Sequence, residues 1–126
     1  MVPNDRRYLK SHEWHKLEGD VVTIGITKFA ADELTDITYV SLPSVGKELT
    51  AGKPFGEIES VKATSDLYVG VSGKVTAVNA ELSNHPELVN NDPFTGGWMI
   101  KIKPSNAAQI NSLLDAGQYE ASIGQH

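Results

Sequence analysis

The feature that most constrains this chain is its punctuation. Short runs of β-branched residues recur, and glycine or proline closes each one after about ten residues, the rhythm of a small β sandwich or barrel. Trp14 to Ile26 reads as a hairpin turned at Glu18-Gly19-Asp20, with Val21, Val22, Thr23, Ile24 and Ile26 supplying strand-forming side chains. Ile37 to Leu42 is another strand, stopped by Pro43, and Gly46 and Gly52 mark further turns. Pro54 to Val61 alternates, with Phe55, Glu57, Glu59 and Val61 on one side and Gly56, Ile58 and Ser60 on the other. Leu67, Val69 and Val71 alternate after it. These two strands, joined over Lys62 to Asp66, form a hairpin with Lys62 at or near its tip. Lys74 to Val78 and Gly97 to Lys103 complete the strands, the last ended by Pro104.

Helices are few and short. Thr27 caps a segment to Leu34 in which Phe29, Ala30 and Leu34 share a face. His85 to Asn91 opens at Pro86. Ser105 to Ala116 gives the clearest helical pattern, capped by Ser105 and ended by Gly117, and a second short helix is expected near Gln118 to Ser122. Gly19-Asp-Val-Val-Thr-Ile echoes Gly73-Lys-Val-Thr-Ala-Val, either as two ordinary glycine turns or as two half-domains related by approximate two-fold symmetry. The expected architecture is mainly β with short helices, in one domain over residues 1–126 with a C-terminal helical extension about 105–122.

The chemistry is limited from the start. There is no cysteine, so disulfides, thiolate metal sites and thiol redox chemistry are excluded from the natural side chains. A net charge of −5 argues against a nucleic-acid partner. No apolar run reaches the roughly 20 residues of a membrane span, and Met1 to Tyr8 lacks the apolar stretch of a signal peptide. His12 and His15 lie three apart in a strand-like segment, which sends them to opposite faces, and His85 and His126 have no local partners, so no metal site is expected. No nucleophile elbow and no phosphate-cradling loop occurs. Glu57 and Glu59 share a strand face that reads as solvated. No catalytic residue is identified, and an enzyme is not expected.

Lys62 is the exception. It stands at a turn in Glu59-Ser60-Val61-Lys62-Ala63-Thr64-Ser65-Asp66, flanked by two acids and by small neighbours that leave its amine open to a modifying enzyme. From its position alone it reads as a solvated loop residue; acylated by a long cofactor, a lysine on a protruding β-turn would act as a swinging arm.

This stretch resembles the lipoylation site of the glycine cleavage system H protein family. Further segments resemble that family in order: Ser11-His-Glu-Trp14, Val22-Thr-Ile-Gly-Ile-Thr27, Phe55-Gly-Glu-Ile-Glu-Ser-Val-Lys-Ala63, the Ser72-Gly-Lys-Val75 turn, Asn79, Asn90 and Gly97-Trp-Met-Ile-Lys101. Together they span about Tyr8 to Tyr119. The resemblance implies a lipoyl-domain-like barrel-sandwich hybrid of two antiparallel sheets with approximate two-fold symmetry. It implies lipoate on Lys62 through an amide, with Glu59, Ser60, Val61, Ala63 and Asp66 as the attachment context. The lipoyl group would bring redox chemistry that the side chains lack.

The implied role is that of a non-catalytic carrier. It takes the aminomethyl group of glycine from the pyridoxal-phosphate decarboxylase (P protein) to the tetrahydrofolate-dependent aminomethyltransferase (T protein). The flavin-dependent dihydrolipoyl dehydrogenase (L protein) reoxidises the dithiol, and lipoate-attaching enzymes are further partners. Ser11, Glu13 and Asp66 match positions of a cleft in which family members shelter the loaded arm. Glu13 reads equally as a surface charge on an edge strand. Glu33 stands where some relatives have histidine. A biotin carrier would read Ala-Met-Lys-Met where this chain reads Ser-Val-Lys-Ala, and a 2-oxoacid dehydrogenase lipoyl domain more often reads Asp-Lys-Ala. Two alternatives stay open: an H-like protein that relays lipoyl groups to other 2-oxoacid dehydrogenases, and an unmodified interaction module. A monomer in the bacterial cytoplasm is expected, or in the mitochondrial matrix for a processed chain.

Overall fold

The computed structural model describes residues 2–124; Met1, Gln125 and His126 lie outside the described residues. Nine strands run in chain order: β1 (Arg7–Tyr8), β2 (Glu13–Glu18), β3 (Val21–Ile26), β4 (Ile37–Ser41), β5 (Glu48–Leu49), β6 (Pro54–Ser60), β7 (Thr64–Tyr68), β8 (Gly73–Val78) and β9 (Ile100–Pro104). They form two antiparallel sheets, one ordered β1-β2-β3-β9-β8-β5 and one ordered β4-β6-β7. Three α-helices accompany them: α1 (Lys28–Leu34), α2 (Leu88–Asn91) and α3 (Ala116–Ile123). The fold is therefore mainly β with short helices, as the punctuation requires. No helix among the described residues is long and apolar enough to cross a membrane.

The main core gathers the alternating side chains of both sheets, among them Ile24, Ile58, Leu67, Val75, Ile100 and Ile102. A separate cluster of Tyr8, Trp14 and Tyr119 is packed against Phe94, Trp98, Leu114 and Ile123. Strand β2 is consequently covered on both faces, and Glu13, Trp14 and His15 are all buried in succession. A half-solvated strand would alternate; this one does not.

The two echoing glycines enter β3 and β8, which flank β9 on either side. Their physical reasons differ. Gly19 takes a left-handed φ of +64°, whereas a Cβ on Gly73 would lie 2.3 Å from the Lys103 carbonyl oxygen of β9. One is a turn residue and the other permits close approach of two strands.

Four local expectations are corrected. Phe55 and Ile58 do not lie on opposite faces: both are buried, because the β6–β7 register shifts between Pro54 and Gly56 and the extra residue, Phe55, is turned back to the core. The turn is tighter than Lys62 to Asp66, since Thr64 already pairs with Glu59 in the ladder. Ser105 to Ala116 is not one helix. A 3₁₀ segment covers Ala107–Ser112, capped by Asn106, and the chain then extends. Leu114 N–H donates to Tyr8 C=O and Tyr8 N–H to Leu114 C=O, at 2.9 and 2.8 Å, which holds this stretch straight. Helix α3 restarts at an Asp115–Gln118 capping box, so Gly117 lies inside a helix instead of ending one. The segment at His85 is likewise shorter in its α-helical part, Leu88–Asn91.

Candidate functional site

The β6–β7 turn is built by Ser60. Ser60 N–H donates to the Ala63 carbonyl at 2.8 Å, and the Ser60 hydroxyl oxygen accepts from the backbone N–H of Lys62 and of Ala63, at 3.3 and 3.1 Å. Val61 N–H donates to the Asp36 carbonyl at 3.1 Å, tying the turn to the segment before β4. Val61 and Lys62 therefore project from an anchored backbone, and Val61 is 67% exposed despite being apolar. Lys62, Ala63, Thr64, Ser65 and Asp66 are exposed in sequence, and so is Glu59 on the opposing strand. The sequence expectation of an accessible amine among small residues and acids is met.

A cleft of about 190 Å³ opens at the base of this hairpin. Its apolar walls are Ile26 of β3, Ala30 and Leu34 of α1, Ile58 of β6 and Leu67 of β7. Its polar groups are Ser11, His12, Glu13, Glu33, Ser65 and Asp66. The three residues singled out for a cleft, Ser11, Glu13 and Asp66, are thus brought to one cavity. Glu33 lines it as well. Thr27 makes the helical wall possible: its side chain accepts from Ala30 N–H, capping α1 as the sequence indicates.

Glu13 is the decisive correction to the surface alternative. It is 1% exposed, and β2 is not an edge strand but lies between β1 and β3. Its Oε2 accepts from Tyr68 N–H at 2.8 Å and its Oε1 accepts from the Ser11 hydroxyl. Burial outweighs both hydrogen bonds and pushes the carboxyl up to about 7. A carboxylate so poorly solvated, facing a small apolar cleft, is poised to take either a proton or a cation.

His12 and His15 part company for a reason other than strand alternation. His12 precedes β2 in the left-handed region, at φ +86°. There it lines the cleft, and its Nδ1 lies 2.7 Å from the Tyr119 hydroxyl. His15 is fully buried, its Nε2 accepts from Gly70 N–H at 2.9 Å, and desolvation pushes its pKa down to about 4. Among the described residues no group of three or more His, Asp or Glu is arranged to hold a metal ion. Sequence reasoning missed His12 and Tyr119 as neighbours of the site. They are 107 residues apart, and no local pattern could have joined them.

The family profile described as Glycine cleavage H-protein matches residues 6–126. The glycine cleavage system H protein of Anoxybacillus flavithermus is 52% identical over 124 residues, covering 98% of each chain. That of Bacillus mycoides is 53% identical with the same coverage. The crystal structure of a glycine cleavage system H protein from Mycobacterium marinum superposes with a TM-score of 0.90 at 36% identity, covering 98% of this chain and 99% of that one. With the family profile spanning nearly all of the sequence and the fold matched throughout, this chain belongs to the glycine cleavage H-protein family.

Proposed function

We propose that this chain is a non-catalytic lipoyl carrier in a glycine-cleaving multienzyme system, with lipoate in amide linkage to Lys62. The observation that carries the reading is the pairing of one exposed, anchored turn lysine with a cleft at the base of the same hairpin. When bound, the lipoyl group supplies a dithiolane that takes up the aminomethyl group of glycine from the P protein, yields it to the T protein and is reoxidised by the L protein.

The residues present suit that group. Ser60 holds the turn by backbone hydrogen bonds, so the arm has a fixed base and all its freedom lies beyond Cα of Lys62. Ile26, Ala30, Leu34, Ile58 and Leu67 offer an apolar surface to a hydrocarbon chain and sulfur, and exclude water from it. Glu13 offers one carboxylate to a protonated amine, where low solvation strengthens the attraction. Ser11 and the Tyr68 N–H hold that carboxylate in place, and Asp66 contributes a second acid where the cleft meets the hairpin. Glu59, Ser60, Val61 and Ala63 form the context read by lipoate-attaching enzymes. A tethered arm presents its end to each partner at a local concentration in the mM range. With bacterial relatives, the setting proposed is the cytoplasm.

Intact mass of the chain made in a lipoate-competent host, with peptide mapping across Lys62, tests the reading. One added lipoyl group on Lys62 is expected. Lys62→Arg should abolish both the added mass and carrier activity while leaving Tm almost unchanged, since an exposed turn side chain contributes little to the core. An unmodified Lys62 beside active attachment machinery, or gross unfolding of the arginine variant, would overturn it.

A further inference from the structure

We propose that Tyr119 of the C-terminal helix is a positioning residue that holds the two walls of the cleft together, an inference that rests on the cleft's proposed role in sheltering the arm. Its ring is fully buried and stacks on Tyr8 at 4.8 Å with an interplanar angle of 17°. Phenylalanine would satisfy that packing equally well. The hydroxyl does something more specific. It lies 2.8 Å from Thr27 Oγ1 and 2.7 Å from His12 Nδ1.

Those two partners belong to opposite walls. Thr27 caps α1, the helix that contributes Ala30, Glu33 and Leu34 to the cleft. His12 sits between Ser11 and Glu13, the hydrogen-bonded pair of the other wall. The walls also meet directly, through Thr27 N–H donating to the His12 carbonyl at 3.0 Å. With His12 Nδ1 as an acceptor, one proton order satisfies every group: Thr27 O–H donates to the Tyr119 oxygen, and Tyr119 O–H donates to His12. The Thr27 oxygen remains free to accept from Ala30 N–H.

His12 needs such support. A non-glycine residue at φ +86° adopts an uncommon backbone conformation, held only when its surroundings over-determine it. Among the described residues the constraints include His12 N–H donating to the Leu9 carbonyl, the bond from Thr27 N–H, a tilted contact with the Phe29 ring at 5.1 Å, and the Tyr119 hydroxyl. Of these four, the Tyr119 hydroxyl comes from outside the cleft walls and their immediate chain. The C-terminal helix is thus coupled to the angle at which Ser11 and Glu13 face the cavity, although neither α3 nor Tyr119 lines it.

The test is Tyr119→Phe in the full chain, which keeps the ring and removes only the hydroxyl. In the unmodified chain, amide exchange at His12, Thr27 and Ala30 should accelerate about fivefold, the factor associated with one lost buried hydrogen bond. Amides of β3 and β9 away from these residues should not change. Modification of Lys62 should proceed normally, and the loaded chain should lose its aminomethyl group about fivefold faster.

Unchanged exchange at the three amides would overturn the proposal. So would acceleration spread evenly across β3 and β9, because that is general destabilisation rather than positioning. If wild type and Glu13→Gln lose the aminomethyl group equally fast, the sheltering role itself fails, and the exchange measurement still decides whether Tyr119 holds the walls.

Discussion

Glu13→Gln should make the protein more stable at neutral pH, and the size of the gain follows from burial. The carboxyl is 1% exposed and its pKa rises from 4.5 to about 7. Between those values the folded chain holds a proton that the unfolded chain releases, so stability is fully present below pH 4.5 and falls as pH rises to about 7. At about 1.36 kcal/mol per pH unit, ionised Glu13 costs the fold about 3 kcal/mol at pH 8. Glutamine imitates the protonated acid. Its amide oxygen can accept from Tyr68 N–H, and its nitrogen can donate to the Ser11 hydroxyl oxygen.

His15, two residues along the same strand, runs the other way. Its pKa falls from 6.5 to about 4, so the stability it contributes is present above pH 6.5 and lost as pH falls through about 4. The two buried groups therefore oppose each other over nearly the same interval, and wild type should be almost indifferent to pH between about 4.5 and 6.5 as far as this pair is concerned. The variant should expose the His15 slope, gaining about 3 kcal/mol as pH rises across that range.

Urea unfolding of both chains from pH 4 to pH 8, extrapolated to water, is the assay. The difference between the curves cancels every other titrating group. It should start near zero and reach about 3 kcal/mol in favour of glutamine at pH 8. A flat difference, or a glutamine variant less stable at pH 8, would refute the claim that an underpaired buried charge is being maintained. The expected outcome is a chain that is sturdier and a poorer host for a cationic guest, the usual exchange at a functional site.

Two further perturbations test the scaffold. Gly56→Ala would place a Cβ 2.1 Å from the Ser41 carbonyl oxygen of β4, and backbone cannot swing aside, so a loss of about 3 kcal/mol in urea unfolding is expected. An unchanged midpoint would mean that β4 can retreat from β6. Asp115→Ala removes the cap and half of the capping box of α3, and should cost about 1 kcal/mol, with amides of the first α3 turn exchanging faster. No effect on those amides would show that packing on β1 alone fixes the helix.

What the sequence made legible was local. Thr27 declares its helix because capping is settled within three residues, and the Lys62 turn declares itself because its strands adjoin it on both sides. What escaped were outcomes decided by distant segments. Alternation alone put Phe55 outside the register of Ile58, but the neighbouring strand accommodates a bulge, and burial of both side chains wins. Leu113 and Leu114 fit a helical stripe as well as any residues here, yet pairing of Leu114 with Tyr8 draws them into extended backbone. Glu13 looked like either a surface acid or a cleft acid. Only the segments packed over its side chain decide between them, and the backbone N–H it accepts from, that of Tyr68, lies 55 residues further along the chain.

The pinning of the two chain ends to each other has a kinetic consequence. Val2 N–H donates to Glu120 across 118 residues, and the Tyr119 hydroxyl meets Thr27 across 92. Contacts of such span close the longest loops and reward the chain last, whereas the β6–β7 hairpin closes a loop of a few residues and belongs to the fastest class of folding events. The attachment turn should accordingly be in place while the cleft beneath it is still unmade. Mutational φ values near zero at Tyr119 and well above zero in the hairpin would register that order, and the reverse ranking would refute it. A chain leaving the ribosome would then present its lysine before it owns a shelter for the arm.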